Sequence, residues 1–411
     1  MTELTAFVQE HLNDDVTRLI LDRSRWQGID IELAAACIES RKKLKNKVQE
    51  WYANPELVFP IRLSAEQCSS TPTGHYKAEI AARIADKDDF RIADLTGGLG
   101  VDSWFFSKKA SEVLYNEMQI KLCQAAKHNF ASLNCHNIQI SNEIASAETI
   151  DGILSPFKPD IVYLDPARRS ESGKKVFLIE ECTPDILVLK DKLFSNCRHI
   201  LLKLSPMADI SMVCSRLGSS CREVHVIAAG GECKELLVWM DKEWNDEYSI
   251  SAVELPAAYP SSSPGIFTFR MSEEKAGNSE LYVPMPQEGA FLFEPGKALM
   301  KSGCFNLICK TMGVRKIGRS THFYITEDYQ QAQRLKEFGK IYNILICSPL
   351  NKHVLKETGK LYPHSEVTAR NIPMDTDTLR KKIGATSGDD AHIFGLKSDH
   401  QGNILLVTEP L

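Results

Sequence analysis

An acidic residue followed by three closely spaced glycines is the sharpest chemical feature of the chain. In the segment RIADLTGGLGVD, an apolar strand is predicted to end at Asp94, and Gly97, Gly98 and Gly100 then turn the chain into a helix. Because glycine lacks a β-carbon, the backbone can approach a ligand closely there, and the helix N-terminus offers free N–H groups. A carboxylate before such a turn repels a pyrophosphate and attracts a cation. The segment therefore predicts a site for a small molecule with a cationic amino-acid moiety.

A second acidic residue, Glu117, follows the next predicted strand. A carboxylate at the carboxyl end of a strand can hold two ribose hydroxyls. Nicotinamide-dependent dehydrogenases share such an acid, so Glu117 alone does not distinguish a nicotinamide cofactor from S-adenosylmethionine. Asp94, a glycine spacing that differs from G-x-G-x-x-G, and a predicted antiparallel hairpin at the end of the sheet together favour S-adenosylmethionine.

The segment DIVYLDPARRSESGKK provides the residues that we expect to face a substrate. Asp165 stands at the carboxyl end of the fourth predicted strand, where Pro166 fixes the turn, and its carboxylate can orient or deprotonate a nucleophile. Arg168 and Arg169 are predicted to clamp a phosphate or to stack on a base. Lys203, at the end of the fifth predicted strand, is either a further substrate contact or an ordinary strand terminus.

Cysteine chemistry and a structural metal are both disfavoured by the sequence. The twelve cysteines include no C-x-x-C pair and the eleven histidines are dispersed, so no metal-ligand set is recognised. Cys182 is a candidate nucleophile towards a pyrimidine ring, but the adjacent Glu180 and Glu181 disfavour its thiolate. We therefore expect no metal and no catalytic cysteine.

The hydrophobic pattern indicates the elements that must position these side chains. Apolar residues at helical spacing predict an N-terminal helical region, and alternating helices and strands follow from about residue 76. The fold class predicted is α/β, with a mostly parallel, Rossmann-like seven-stranded sheet that closes with an antiparallel hairpin. The predicted parallel strands cover residues 91–94, 112–117, 138–141, 160–165 and 199–204, and the predicted hairpin strands cover residues 223–229 and 235–240.

The C-terminal part of the chain is predicted to contain smaller α+β modules. Residues 241–288 are rich in Pro, Ser and polar residues, which is typical of a connecting region. One small unit is predicted at about residues 291–326, and the last begins at about residue 339 with the apolar strand KIYNILICSP.

Composition and charge limit the classes of protein that need to be considered. With 43% hydrophobic and 25% charged residues, the chain has the composition of a globular protein. Its apolar runs are far shorter than the roughly 18 residues of a membrane span, and its acidic, amphipathic start does not resemble a signal peptide. We expect a cytoplasmic protein without membrane contact. The formal charge of −5 is unevenly distributed, because residues 290–411 carry an excess of basic side chains that permits contact with nucleic acid.

Eight segments resemble a bacterial family, common in Bacteroidetes, of class I S-adenosylmethionine-dependent methyltransferases that carry a DPARR motif and a C-terminal THUMP-like domain. The matching segments are EQCSS, TGHYKA, DLTGGLGVD, DPARR, EPGKALMKSG, RSTHFY, ARNIP and LRKKIG. The domain organisation implied is an N-terminal helical region at 1–75, the methyltransferase domain at 76–245, a linker and ferredoxin-like module at 246–330, and the THUMP-like domain at 331–411.

The resemblance also implies roles for individual residues. The residues implied to bind the cofactor are Thr73, Asp94, Thr96, Gly97, Gly98, Gly100, Asp102, Glu117 and Asn142. The residues implied to be catalytic are Asp165, Pro166 and Arg168, and those implied to bind substrate are Arg168, Arg169 and Lys203. Related amino-methylating enzymes have a second proline and an aromatic residue where this chain has Ala167 and Arg168. That aromatic residue stacks on the flipped-out base, so the departure argues against an exocyclic amine as the methyl acceptor.

Together these patterns predict a methyltransferase that uses S-adenosylmethionine to methylate a base nitrogen of RNA, either tRNA or rRNA, by direct SN2 transfer. One alternative is a non-catalytic RNA- or S-adenosylmethionine-binding protein on the same fold. Another is a methyltransferase that acts on a protein or a small molecule. A nicotinamide-dependent oxidoreductase would require a catalytic His or a Tyr–Lys pair near the crevice, and none is recognised. The sequence leaves the oligomeric state open.

Overall fold

A computed structural model describes residues 3–168 and 179–411 of the chain. The protein consists of two compact units. The first unit comprises Met1–His225, Lys234–Tyr248 and Ala257–Ser263, and the second comprises Val226–Cys233, Ser249–Pro256 and Pro264–Leu411. Each unit has its own arrangement of helices and strands.

The first unit begins with the predicted helical region. Its helices are α1 (Glu3–Glu10), α2 (Val16–Leu21), α3 (Ile31–Leu44), α4 (Gln49–Ala53), α5 (Arg62–Gln67) and α6 (Thr71–Ala85), with a 3-10 turn at Arg23–Arg25. Asp30 caps α3 by accepting a hydrogen bond from the Leu33 N–H. On α3, the fully buried guanidinium of Arg41 donates hydrogen bonds to backbone carbonyls between residues 52 and 57. Arg41 therefore holds the irregular connector that leads to α5.

Strands and helices then alternate, as the hydrophobic pattern predicts. The strands are β1 (Arg91–Asp94), β2 (Glu112–Asn116), β3 (Ile138–Ser141), β4 (Ile161–Leu164), β5 (Ala167–Arg168), β6 (Cys182–Thr183), β7 (His199–Leu204), β8 (Cys221–Ala229) and β9 (Glu232–Asp241). The helices between them are α7 (Val101–Ser107), α8 (Ile120–Ser132), α9 (Ile150–Phe157), α10 (Ile186–Asn196) and α11 (Ile210–Leu217), with a 3-10 turn at Ile179–Glu181.

Seven strands of the large sheet have the order β8-β9-β7-β4-β1-β2-β3. Strands β3, β2, β1, β4 and β7 pair in parallel, and β9 runs antiparallel to β7. All four residues of β4 are buried, as expected for a strand covered on both faces. The predicted α/β class, with a parallel sheet and an antiparallel closing hairpin, is confirmed. Because parallel strands end at one edge of the sheet, the residues that follow β1, β2 and β4 are brought together.

The second unit contains strands in the segment that we predicted to be a connector. Strands β10 (Ser249–Leu255) and β11 (Gly265–Arg270) pair antiparallel, and α12 (Met271–Ala276) follows them. The prediction for residues 241–288 was therefore wrong in part. The Pro and Ser residues that suggested a linker are concentrated in the PAAYPSSSP loop between the two strands, whereas SISAVEL is mostly buried.

A seven-stranded, largely antiparallel sheet makes up the rest of the second unit, in the order β13-β14-β12-β15-β18-β17-β16. Its strands are β12 (Phe291–Pro295), β13 (Arg315–Lys316), β14 (Tyr324–Thr326), β15 (Gly339–Pro349), β16 (Glu366–Arg370), β17 (His392–Ser398) and β18 (Gly402–Pro410). Its helices are α13 (Lys297–Ser302), α14 (Leu307–Thr311), α15 (Tyr329–Leu335), α16 (Lys352–Leu361) and α17 (Thr376–Ile383). Among the residues that the structure describes, no helix is long and apolar enough to cross a membrane.

Candidate active site

A cavity of about 220 Å³ lies in the first unit, at the carboxyl ends of β1, β2 and β4. The carboxylate-bearing residues that line it are Asp94, Asp102, Glu117, Glu143 and Asp165. Within residues 3–168 and 179–411, no lysine or arginine belongs to this lining. The cavity wall is therefore acidic, which favours a cationic ligand and disfavours a phosphate or pyrophosphate group.

The glycine turn forms one wall of the cavity. Gly98 and Gly100 have φ angles of 53° and 92°, in the left-handed region that favours glycine. At Gly97, a β-carbon would lie 2.3 Å from the Tyr115 ring. Two of the glycines are thus required by backbone conformation and one by close packing, and all three line the cavity or bend the chain around it.

Asp94 is buried beside this turn. Its carboxylate accepts hydrogen bonds from the Thr96 N–H at 3.0 Å and from the Ser103 hydroxyl at 2.6 Å. Burial, together with the negative charges of Asp102 and Asp165, raises the pKa of Asp94 to about 7, although the two hydrogen bonds act to lower it. A cation placed in the cavity would favour the ionised form, so the site is suited to an ammonium or sulfonium group.

Glu117 lies across the turn from Asp94 and is also largely buried. Its carboxylate accepts hydrogen bonds from the N–H groups of Gly98 and Gln119, each at 2.9 Å. These two contacts fix the orientation of the carboxylate and leave lone pairs free to accept hydroxyl groups. Asn142 is not part of the cavity lining, because its amide donates to the carbonyls of Glu117 and Met118 and supports the loop that carries Glu117.

Asp165 is held at the opposite side of the cavity by two contacts. Its N–H donates to the Thr96 hydroxyl at 2.6 Å, and its Oδ2 accepts from the Lys203 ammonium at 2.5 Å. Thr96 therefore connects the glycine turn with the residue that we predicted to orient the nucleophile. Pro166 is buried behind Asp165.

Behind the cavity lies a buried ionic cluster that sequence reasoning missed. Lys77 on α6, with no exposed side-chain surface, contacts the carboxylates of Asp102 and Glu235 at 3.1 and 3.0 Å. Asp102 also accepts hydrogen bonds from Ser69 at 2.9 Å and from Tyr163 at 2.8 Å. Burial opposes ionisation of Asp102, but the nearby lysines and the Tyr163 hydrogen bond outweigh burial and lower its pKa. A lysine on the apolar face of the TGHYKAEIAARIA helix was the available sequence signal.

The other residues predicted for the site are placed differently. Thr73 is buried at the start of α6, where its hydroxyl and Ser70 form a capping box, and it does not line the cavity. The backbone of Arg168 belongs to β5, and Arg169 lies outside the described residues. Cys182 is fully buried. Cys68 does line the cavity, but burial raises its pKa to about 11, so its thiol is a poor nucleophile at neutral pH.

No group of three or more His, Cys, Asp or Glu residues that could hold a metal ion occurs in the part of the chain that the structure describes.

Two family models match the C-terminal part of the chain. Residues 291–332 match the ferredoxin-like domain and residues 339–410 match the THUMP domain-like family. The resemblance found from the sequence is confirmed, because the protein combines a methyltransferase-type sheet with ferredoxin-like and THUMP-like domains at its C-terminus. No curated protein sequence matches the chain significantly.

Among solved structures, a proposed methyltransferase from Porphyromonas gingivalis W83 is similar over nearly the whole molecule. The alignment has a TM-score of 0.82 and 29% sequence identity, and it covers 99% of this chain and 97% of that chain. An rRNA methylase from Streptococcus thermophilus aligns at a TM-score of 0.31 and 13% identity, over 43% of this chain and 98% of that chain. M. capricolum TrmK in complex with S-adenosylhomocysteine aligns at a TM-score of 0.30 and 12% identity, over 41% of this chain and 69% of that chain. Both of these alignments cover less than half of this chain.

Proposed function

We propose that the protein is a cytoplasmic methyltransferase that uses S-adenosylmethionine to methylate a base nitrogen of RNA, either tRNA or rRNA. The observation that carries this proposal is the acidic cavity at the carboxyl ends of β1, β2 and β4. Of the five carboxylates that the described residues place there, Asp102 and Asp165 contact lysines, and Asp94, Glu117 and Glu143 suit a ligand with a sulfonium and an ammonium group, whereas a dinucleotide pyrophosphate would be repelled. The whole-length similarity to a proposed methyltransferase supports the same conclusion.

The residues of the cavity fit S-adenosylmethionine by their chemistry. Asp94 would attract the ammonium group, the turn at Gly97 and Gly98 would admit the amino-acid end closely, and Glu117 would accept the ribose hydroxyls. When bound, the cofactor supplies an electrophilic methyl group. Asp165 would accept a hydrogen bond from the acceptor nitrogen and align it, and alignment is the larger part of what such a transfer requires.

RNA as the substrate is supported by the C-terminal part of the chain. Residues 290–411 carry an excess of basic residues, while the rest of the chain is acidic. Exposed basic side chains neutralise phosphates and give affinity that does not depend on sequence. The match to the THUMP domain-like family adds to the support for RNA as the substrate. The proposed location in the cytoplasm agrees with cysteines that are free thiols, as in a reducing compartment.

Calorimetric titration with S-adenosylhomocysteine tests the cofactor site directly. We expect micromolar binding by the unchanged protein and a loss of about 100-fold or more in Asp94→Ala, because a buried charge contact is removed. Asp160→Ala is the matched control, since Asp160 precedes β4 and contacts Lys87 and the N–H of Arg91 at the start of β1, and it does not line the cavity. Its affinity should be unchanged. Absence of binding by the unchanged protein would contradict the proposed cofactor.

Transfer of tritium from labelled S-adenosylmethionine into total RNA tests the substrate. We expect the unchanged protein to incorporate tritium into RNA. Asp165→Ala should abolish this incorporation and still bind S-adenosylhomocysteine. Cofactor binding without incorporation into RNA would favour a protein or small-molecule substrate, or a non-catalytic protein that binds the cofactor.

A further inference from the structure

The ion pair between Lys203 and Asp165 joins the ends of two neighbouring strands. Strands β4 and β7 pair in parallel with Leu164 opposite Leu202, so the next residues lie side by side: Asp165 just after β4, and Lys203 as the last residue but one of β7. The Lys203 ammonium lies 2.5 Å from Asp165 Oδ2. The Lys203 side chain is 12% exposed and that of Asp165 is 36% exposed. The pair is therefore partly covered, with the carboxylate on its more open side.

The surroundings of Lys203 keep its side chain charged. Burial by itself lowers the pKa of Lys203, but the carboxylates of Asp165, Glu235 and Asp102 outweigh burial and raise it. Both of those additional carboxylates also contact Lys77. Lys203 thus belongs to the ionic cluster behind the cavity wall. As an ammonium group, its side chain can only donate hydrogen bonds.

Asp165 is constrained by this pair and by one further contact. Its N–H is held by Thr96, and its Oδ2 is held by Lys203. Rotation of the carboxylate would break the contact with Lys203, so Oδ1 is the oxygen left to accept a hydrogen bond from a ligand. Lys203 itself is not part of the cavity lining.

We propose that Lys203 is a positioning residue that fixes the Asp165 carboxylate as a single-oxygen acceptor for the N–H group of the methyl acceptor, and is not itself a substrate contact. The proposal rests on the proposed function and narrows it. It replaces the prediction from sequence that Lys203 binds substrate, and it restricts the acceptor to a group that can donate a hydrogen bond.

Steady-state methyl transfer separates the two roles of Lys203. The probes are tritiated S-adenosylmethionine and total RNA of the expression host, and the variants are Lys203→Met and Lys203→Arg. For a positioning residue, we expect Lys203→Met to lower kcat about 100-fold, as a misplaced catalytic group does. KM for RNA should stay within about twofold, since no phosphate contact is lost. Lys203→Arg should recover most of kcat, because a guanidinium can also hold a carboxylate.

The matched control is Lys190→Met on α10. Lys190 is half-buried and donates to the Leu217 carbonyl at 3.1 Å, outside the cavity. Its kcat and KM should equal those of the unchanged protein. The proposal would be overturned in favour of substrate binding if Lys203→Met left kcat unchanged and raised KM for RNA. The affinity for RNA would then also depend less steeply on salt concentration, by the contribution of about one phosphate contact.

Lysine acetylation followed by mass spectrometry tests the pair without any enzymatic activity. With acetic anhydride at pH 8, we expect Lys203 to react at least about 10-fold more slowly than the exposed Lys109, because a paired ammonium is unreactive. In Asp165→Asn, Lys203 should react faster than in the unchanged protein, because its direct partner is lost while Glu235 and Asp102 remain, and the reactivity of Lys190 should be unchanged. Equal reactivity of Lys203 and Lys109 in the unchanged protein would overturn the proposal. Failure of methyl transfer by the unchanged protein would instead count against the proposed function.

Discussion

Two buried carboxylates, one in each unit, are stabilised in different ways. Glu274 in the second unit accepts hydrogen bonds from the backbone N–H groups of Phe305, Asn306 and Leu307, at 2.9 to 3.1 Å. These groups lie at the start of α14, so the carboxylate caps that helix. Among the described residues, one backbone N–H, that of Thr96, and hydroxyl groups donate to Asp94 in the first unit, and Asp94 lines a cavity.

The difference shows how a structural buried charge can be told from a candidate functional one. The backbone N–H groups around Glu274 compensate its charge within the protein itself. Compensation of Asp94 is incomplete, since burial raises its pKa to about 7. A carboxylate at a cavity wall whose negative charge the fold does not fully compensate is a site for a cation. Until a cation binds, such a carboxylate lowers the stability of the protein.

The largest effect on stability is expected at Glu274. Glu274→Ala leaves three backbone N–H groups without their acceptor, so the free energy of unfolding of the second unit should fall by about 3 kcal/mol. Urea unfolding measures this change. Glu288→Ala, which removes an exposed glutamate of the same unit, should have almost no effect. In Glu274→Ala, binding of S-adenosylhomocysteine should be unchanged. A loss of affinity in this variant would contradict the assignment of Glu274 as a structural carboxylate and Asp94 as a ligand-binding one.

Replacing Asp94 should raise the free energy of unfolding, whereas replacing Glu274 should lower it. The folded-state pKa of about 7 lies above the unfolded value of about 3.9. The stability that the neutral acid contributes is therefore present below the unfolded pKa and is lost as the pH rises through 7. Asparagine does not titrate, so Asp94→Asn should gain about 2 kcal/mol in free energy of unfolding, relative to the unchanged protein, between pH 5 and pH 8. Parallel urea titrations at both pH values would detect this gain, and a pH-independent difference would contradict it.

Ligand affinity should show the smallest of the three effects. If the ionised form of Asp94 binds the ammonium group, the affinity for S-adenosylhomocysteine should fall about tenfold between pH 8 and pH 6, as Asp94 becomes protonated. Calorimetry at three pH values measures the dependence. Asp94→Asn should bind weakly and without this pH dependence. An equally steep fall in the variant would assign the titration to another group.

Much of the first unit was predictable because its signals are local. The predicted strands at 91–94, 138–141 and 199–204 coincide with β1, β3 and β7. Continuous apolar runs and flanking turns determine such strands regardless of their partners. The segment 241–288 was harder to predict, since β10 and β11 are separated by a loop rich in Pro and Ser. Composition averaged over that segment hid the two strands.

The sequence by itself determined the glycine turn, the acids at the carboxyl ends of β1 and β2, and the order in which strands alternate with helices. These features depend on residues that are close together in the chain, where steric and hydrophobic preferences act locally. Only the tertiary structure decided that Lys203 pairs with Asp165, that Lys77 lies between Asp102 and Glu235, and that Thr73 caps a helix away from the cavity. Such contacts follow from strand order and register, which bring distant residues together and determine which charges are buried side by side.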